Sequence, residues 1–218
     1  MARVVLLCGF LCAMTAGNIV GQEAPVRPAV PIAPAQDVKP AIPAIPLVKP
    51  KPLASPPPAP AVGPESLQGE PCPDFEMMTI TEDKLTNASL QGKVLLIDFW
   101  ATWCGPCIKA SPVMQSLHDK YAEKGLVVIG ANTSERDREG NILKTPERAK
   151  NYAQEHNYTY TFTYGTDDFK NACHVRGIPT MLVVDQKGRV NTVVVGWSAE
   201  LETKLEGPIV ALLEANAD

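Results

Sequence analysis

Apolar residues in the last 150 positions of the chain gather in a few continuous runs, each followed by a stretch where they recur at helical spacing. KVLLIDFWA, residues 93–101, is apolar almost throughout, which predicts a strand buried on both faces. From Cys107 to Lys124 the positions Met114, Leu117 and Tyr121 share one helical face, and Gly125 supplies the stop. LVVIGAN, residues 126–132, predicts a second buried strand. A polar loop, TSERDREGN, leads into a helix expected from about Thr145 to His156. YTYTFTY, residues 158–164, alternates as a strand or an exposed extended segment would. A short helix over about Asp167 to His174 precedes PTMLVVDQKGRVNTVVVG, read as two strands around a Lys187–Gly188 turn. A last helix covers about Glu200 to Glu214. Strand–helix–strand followed by a hairpin and a helix predicts an α/β domain with a mixed central sheet and helices on both faces.

The first third of the chain follows another pattern. Residues 1–21 carry one early basic residue, Arg3, then an apolar stretch from Val4 to about Ala16 and small residues after it. That is the layout of a secretory signal, and the stretch is short for a membrane span. An uncleaved anchor reaching Val20 is the alternative, and it would tether the protein to a membrane. A lipoprotein signal at Cys8 or Cys12 fits less well, because Cys8 leaves almost no apolar run before it and Cys12 follows Phe10-Leu11 rather than small residues. Residues 22–68 are rich in proline and alanine. The prolines at 25, 28, 31 and 34, then 40, 43 and 46, match the three-residue turn of polyproline II. With few large apolar side chains, this segment cannot bury enough surface to fold. It reads as a linker or stalk, able to reach on the order of 130 Å when extended. The domain itself is expected over residues 69–218. There 15 Lys and Arg stand against 21 Asp and Glu, a net of −6, which argues against a nucleic-acid partner.

Export changes the meaning of the cysteines. Loss of a signal would remove Cys8 and Cys12 and leave Cys72, Cys104, Cys107 and Cys173, an even number in an oxidising compartment. Cys104 and Cys107 sit two residues apart in DFWATWCGPCIKASP, between a predicted strand and a predicted helix. At a helix start the unpaired backbone N–H groups and the positive end of the dipole favour a thiolate. Only a thiolate attacks a disulfide. Cys104, at the exposed end, is therefore the candidate nucleophile, and Cys107, one turn further in, the candidate resolving cysteine. Gly105 and Pro106 let the turn close and leave a flat rim for a partner's chain. A structural zinc site would need four ligands, and neither a second Cys-x-x-Cys nor a matching pair among His118, His156 and His174 is present, so no metal is expected. A purely structural bridge across two residues would constrain the unfolded chain little.

DFWATWCGPC followed by Pro112, and later VRGIPT, resembles the thioredoxin superfamily. The Cys72-Pro-Asp-Phe start, the Gly-Lys before the strand, and the long stretch between about Asn132 and Tyr164 are similar to its secreted TlpA/ResA-like branch. The resemblance spans about Gly69 to Glu214. It implies a thioredoxin fold with an insertion after the first βαβ part, a protein-disulfide reductase or related thiol–disulfide oxidoreductase, and no cofactor. It also implies that Cys104 and Cys107 form the redox-active disulfide. Pro179 matches the proline whose peptide bond is cis in this family, which would place the backbone of Ile178, and Thr180 after it, beside the sulfurs for pairing with a substrate strand. Trp103 matches an aromatic near the site, Gly196 a small residue flanking the substrate groove, and Pro112 a proline within the first long helix.

Asp98 stands in an otherwise apolar strand, where an unpaired carboxylate is costly. Burial would raise its pKa and make it a proton acceptor for Cys107; thioredoxin has an aspartate at the matching place. The alternative is a solvated position at a strand edge. Many members of the branch have a glutamate three residues after the second cysteine, where this chain has Ala110, which weakens any dedicated role in cytochrome c maturation. Cys72 and Cys173 are open between a structural bridge and two buried thiols. The Gly-Pro pair between the cysteines looks like reducing relatives, so the expectation is an extracytoplasmic (periplasmic) reductant of disulfide-containing exported proteins, recharged by a membrane thiol electron donor. Two other functions stay in view. A thiol peroxidase would want threonine or serine where Ala101 stands, and a non-catalytic peptide-binding module would use the same groove without chemistry.

Overall fold

A computed structural model describes residues 62–215. The expectations for residues 1–21, and for all but the end of 22–68, lie outside the described residues. Seven strands and four helices follow one another as β1 (Glu76–Thr79), β2 (Lys84–Thr86), β3 (Val94–Trp100), α1 (Gly105–Tyr121), β4 (Leu126–Asn132), α2 (Glu147–Glu155), β5 (Thr161–Tyr164), α3 (Asp167–Ala172), β6 (Thr180–Val184), β7 (Val190–Val195) and α4 (Leu201–Glu214). One mixed sheet contains all the strands, in the order β2-β1-β5-β4-β3-β6-β7.

β3 is the centre of the sheet. It pairs in parallel with β4, from Val94 opposite Leu126 to Trp100 opposite Asn132, and antiparallel with β6. Every residue of β3 is buried, as a run without polar alternation requires. Its side chains alternate between two cores. Val94, Leu96 and Trp100 face Met114 and Leu117 of α1, Ala149 and Tyr152 of α2, and Leu201 and Leu205 of α4. Leu95, Ile97 and Phe99 face Phe75, Met77, Phe169 of α3 and Cys173. Helices therefore cover both faces of the sheet, and the thioredoxin-like architecture expected from the sequence is the one observed.

The pattern left some elements unread. The β1–β2 hairpin, joined through Glu82 at φ 67°, extends the sheet beyond β5, with Met78 opposite Tyr164. Its strands are only four and three residues long, too short to stand out in the sequence pattern, and β2 is no more than half-buried. Packing also reaches ahead of Gly69, because Pro64 and Leu67 are buried in a short 3-10 turn. Only Thr161–Tyr164 of the run starting at Tyr158 is strand. Tyr160 before it is buried, its ring stacked 4.2 Å from Phe162. α1 begins at Gly105, two residues before the expected start, and continues through Pro112. The chain leaves the 3-10 turn after it at Gly125, whose φ of 106° suits glycine and few other residues.

Candidate active site

The site is built where β3 ends and α1 begins. Cys104 is the N-cap of α1, and its Sγ lies 3.2 Å from the backbone N of Cys107, one of the N–H groups that a helix start leaves unpaired. The two sulfurs are bonded at 2.03 Å, so the structure shows the oxidised form. Cys104 is 4% exposed and Cys107 fully buried, which leaves Cys104 as the sulfur a partner can reach. Gly105 and Pro106, at the start of α1, are exposed beside it.

The loop before β6 forms the opposite wall. The Ile178–Pro179 peptide bond is cis. The carbonyl oxygen of Ile178 is 3.8 Å from Cys104 Sγ, and the Ile178 N–H makes no hydrogen bond among the described residues. Thr180 is buried and donates its hydroxyl to the Gly177 carbonyl (2.8 Å), bracing this loop. Gly196, at φ 81°, donates its N–H to the Pro179 carbonyl (2.9 Å). Trp103, 52% exposed, is fixed by its indole N–H donating to the Ser134 carbonyl (2.9 Å). The loop carrying Ile178 and Pro179, with Gly196 tied to it, thus meets the start of α1 at the Cys104 sulfur.

Asp98 occupies the interior side of the site. It is in phase with Val94, Leu96 and Trp100, so it shares the face of the sheet that Cys107 packs against. It lies in the central strand, opposite Gly130 of β4 and Met181 of β6, which removes the reading of a solvated strand edge. Only 1% of it is exposed, and neither carboxylate oxygen has a hydrogen-bond partner among the described residues. Burial pushes its pKa up to about 7. Gly130 has no side chain because a Cβ there would stand 3.0 Å from the Trp100 indole nitrogen and 3.1 Å from Tyr160 and Phe162. The charge of Asp98 adds to burial in raising the pKa of the buried Tyr160. Ser111, one turn beyond Cys107, donates to the Cys107 carbonyl (3.2 Å) and accepts from the Tyr152 hydroxyl (3.0 Å). Ala110 is buried in this helix and supplies no acid.

Cys72 and Cys173 are free, buried thiols in this structure, so the bridge that the sequence left open between them is not formed. They lie in the same core as Phe75 and Phe169, on the face of the sheet opposite Cys107. Burial and then the Asp74 charge push Cys72 up to about 12; burial first, and Cys72 second, hold Cys173 higher still than a free thiol. Both are kept as inert, protonated thiols.

A family model described as Redoxin matches residues 67–205. The chain belongs to the Redoxin family. It is 34% identical over 156 residues to the thiol:disulfide interchange protein DsbE of Pseudomonas fluorescens biotype C, covering 67% of this chain and 80% of that one. It is 29% identical over 142 residues to the thiol-disulfide oxidoreductase ResA of Bacillus anthracis, covering 64% and 75%. A crystal structure of a putative thiol:disulfide interchange protein DsbE from Chlorobium tepidum superposes with a TM-score of 0.59 at 28% identity, covering 67% of this chain and 97% of that one. With its bridged Cys104–Cys107 pair, this Redoxin-family chain is a thiol–disulfide oxidoreductase.

Glu135 belongs to none of the patterns read from the sequence, yet it contacts the segment leading to Cys104. It sits in a polar loop that reads as solvated, yet is 1% exposed. Its carboxylate accepts from the Thr102 backbone N–H (3.0 Å), the Thr102 hydroxyl (2.7 Å) and the Asn132 amide (2.9 Å), with Arg148 at 3.5 Å. Thr102 is two residues before Cys104, so this buried side chain pins the approach to the nucleophile. The exposed apolar side chains Ile108, Val195 and Trp197 were also unread as a group. They come from α1, the end of β7 and the loop after it.

Proposed function

We propose that this protein is an exported reductant of disulfides in other exported proteins, working through the dithiol form of Cys104 and Cys107. The observation that carries the reading is the placement of Cys104 Sγ at the α1 N-cap, between the Cys107 N–H and the Ile178 carbonyl, with Cys107 sealed behind it. The Cys104 thiolate attacks one sulfur of a target disulfide, and the other sulfur leaves as a thiolate. A mixed disulfide between Cys104 and the target results. The Cys107 thiol passes its proton to the Asp98 carboxylate and attacks Cys104 Sγ, releasing the second target sulfur. Two electrons have moved to the target, and the Cys104–Cys107 bridge seen here is the product state.

Asp98 suits the proton step because a carboxyl titrating near 7 can both accept and return a proton at neutral pH. In this reading the Ile178 N–H and carbonyl pair with an extended substrate segment, and Trp103, Gly105, Pro106, Pro179, Thr180 and Gly196 shape the groove. Export is supported by the apolar N-terminal run and the proline-rich segment after it. Recharging would fall to a membrane thiol donor. The Gly105–Pro106 pair favours reduction over oxidation, and Ala110 speaks against a protein dedicated to cytochrome c maturation. The test is insulin reduction driven by a dithiol donor, with turnover expected from the wild type and none from Cys104→Ser. Retention of biological activity by Cys104→Ser would instead identify a peptide-binding module.

A further inference from the structure

A cleft of about 330 Å³ opens beside Cys104, between Trp103, Ser134 and Ile178. Arg136, Lys170 and Arg176 line it. They come from the loop after β4, from α3, and from the segment leading to Pro179, and none forms an ion pair among the described residues. Several carboxylates near them in sequence have other partners. Glu135 is turned to Thr102, Asn132 and Arg148, Asp137 holds Asn141, and Asp168 lies 3.9 Å from Lys144. Asp167 accepts from Thr133 and Ser134 through Oδ1, while its Oδ2 is buried without a hydrogen-bond partner among the described residues. Lys170 is held by Ser134 (3.2 Å) and Arg136 by the Gly140 carbonyl (3.2 Å), so neither bond neutralises a charge.

Such a cluster is out of keeping with a domain whose net charge is −6. Ion pairing does not explain it, and the fold does not need it, because Arg136 and Arg176 are exposed. What it adjoins is the Ile178 backbone, 3.8 Å from the reactive sulfur, where a substrate strand would lie. On the other flank the exposed Ile108, Val195 and Trp197 offer apolar surface, with Lys109 5.2 Å from the centre of the Trp197 ring.

We infer that this basic cleft selects substrates whose target cysteine is flanked by aspartate or glutamate, the carboxylates entering between Arg136, Lys170 and Arg176 while the peptide backbone pairs with Ile178. The inference rests on the reductase reading and adds the class of segment that reaches Cys104. Complementary charge raises the rate of encounter and rejects like-charged competitors, and salt weakens it.

Two peptides test it, each with one cysteine joined to 2-mercaptoethanol by a disulfide, flanked on both sides by glutamate in one and by glutamine in the other. Reduced full-length protein is reacted with each, and every rate is divided by that of dithiothreitol with the same peptide, which removes the effect of the glutamates on the thiol itself. At low salt the glutamate peptide is expected to react about tenfold faster. The preference should vanish near 1 M salt, where the Debye length falls to about 3 Å. It should also vanish in Arg136→Gln/Lys170→Gln/Arg176→Gln, and fall partway in Arg176→Gln alone, while reduction of the small neutral disulfide hydroxyethyl disulfide stays unchanged. Equal rates for the two peptides in the wild type would overturn the inference and leave the reductase reading intact. Failure to reduce either peptide or hydroxyethyl disulfide would overturn that reading and this inference with it.

Discussion

At the scale of single residues, Asp98 is the side chain whose environment departs furthest from its chemistry. A carboxyl held near 7 in the folded protein, against about 3.9 in an unfolded chain, keeps its proton at pH values where the unfolded chain has lost it. Its contribution to stability is therefore greatest below about pH 4, declines as pH rises to about 7, and is flat above. The difference corresponds to about 4 kcal/mol. Asp98→Asn should make the oxidised protein more stable at pH 8 by a few kcal/mol and change little at pH 4, as read by denaturant unfolding at the two values. The same variant should slow the resolution step at neutral pH by on the order of a hundredfold, measured as decay of the mixed disulfide. A stabilised variant with undiminished resolution would leave Asp98 a buried burden without a proton-transfer role. This residue was legible in the sequence because a lone carboxylate inside VLLIDFW has no solvated place to go. Cys104 and Cys107 were legible for a related reason: their spacing has chemical meaning wherever a helix starts.

At the scale of elements, the β3–α1 junction is held from a distance. Glu135, just after β4, accepts from Thr102, just after the neighbouring β3, and Trp103 donates to Ser134, so the loop after β4 carries the nucleophile's approach. Glu135→Ala would strand the Thr102 N–H and the Asn132 amide and should cost about 3 kcal/mol in unfolding free energy; Glu135→Gln, which keeps an acceptor, should cost less. No local pattern could reveal this contact, since it joins a polar loop to a segment more than thirty residues earlier. The β1–β2 hairpin escaped for another reason, its strands being only four and three residues long, too short for a period to stand out in the sequence. The long elements β3, α1 and β4 were read nearly to their ends, because full burial and helical spacing both leave sustained patterns. On the far face, Cys72 and Cys173 should resist alkylation in the folded protein and react once it is denatured, followed by peptide mapping at those two positions. Reaction of either thiol at the rate of a free cysteine without unfolding would show that the core around Phe75 and Phe169 opens.

At the scale of the whole molecule, the sheet brings together groups that sequence order keeps apart. Cys104 comes from the start of α1, Ile178 and Pro179 from the loop before β6, and Gly196 from the end of β7. The family resemblance supplied this convergence for the site residues and said nothing of a basic cluster: Arg136 and Lys170 lie outside the motifs, Arg176 is the unremarked second residue of VRGIPT, and each reads singly as a solvated charge. The direction of electron flow is also a property of the whole domain, through the relative stability of its dithiol and disulfide forms. The potential measured against glutathione should lie nearer to about −270 mV, the value for thioredoxin, than to about −120 mV, the value for DsbA. A value at the oxidising end would make the protein a donor of disulfides.

The division of labour between the two sulfurs is tested most directly by trapping. Reduced Cys107→Ser and Cys104→Ser variants are each given hydroxyethyl disulfide, and the adducts are located by mass spectrometry of peptides. A lasting mixed disulfide on Cys104 in the first variant, with little or none on Cys107 in the second, is the predicted result. An adduct forming on Cys107 of the second variant as fast as on Cys104 of the first would contradict it.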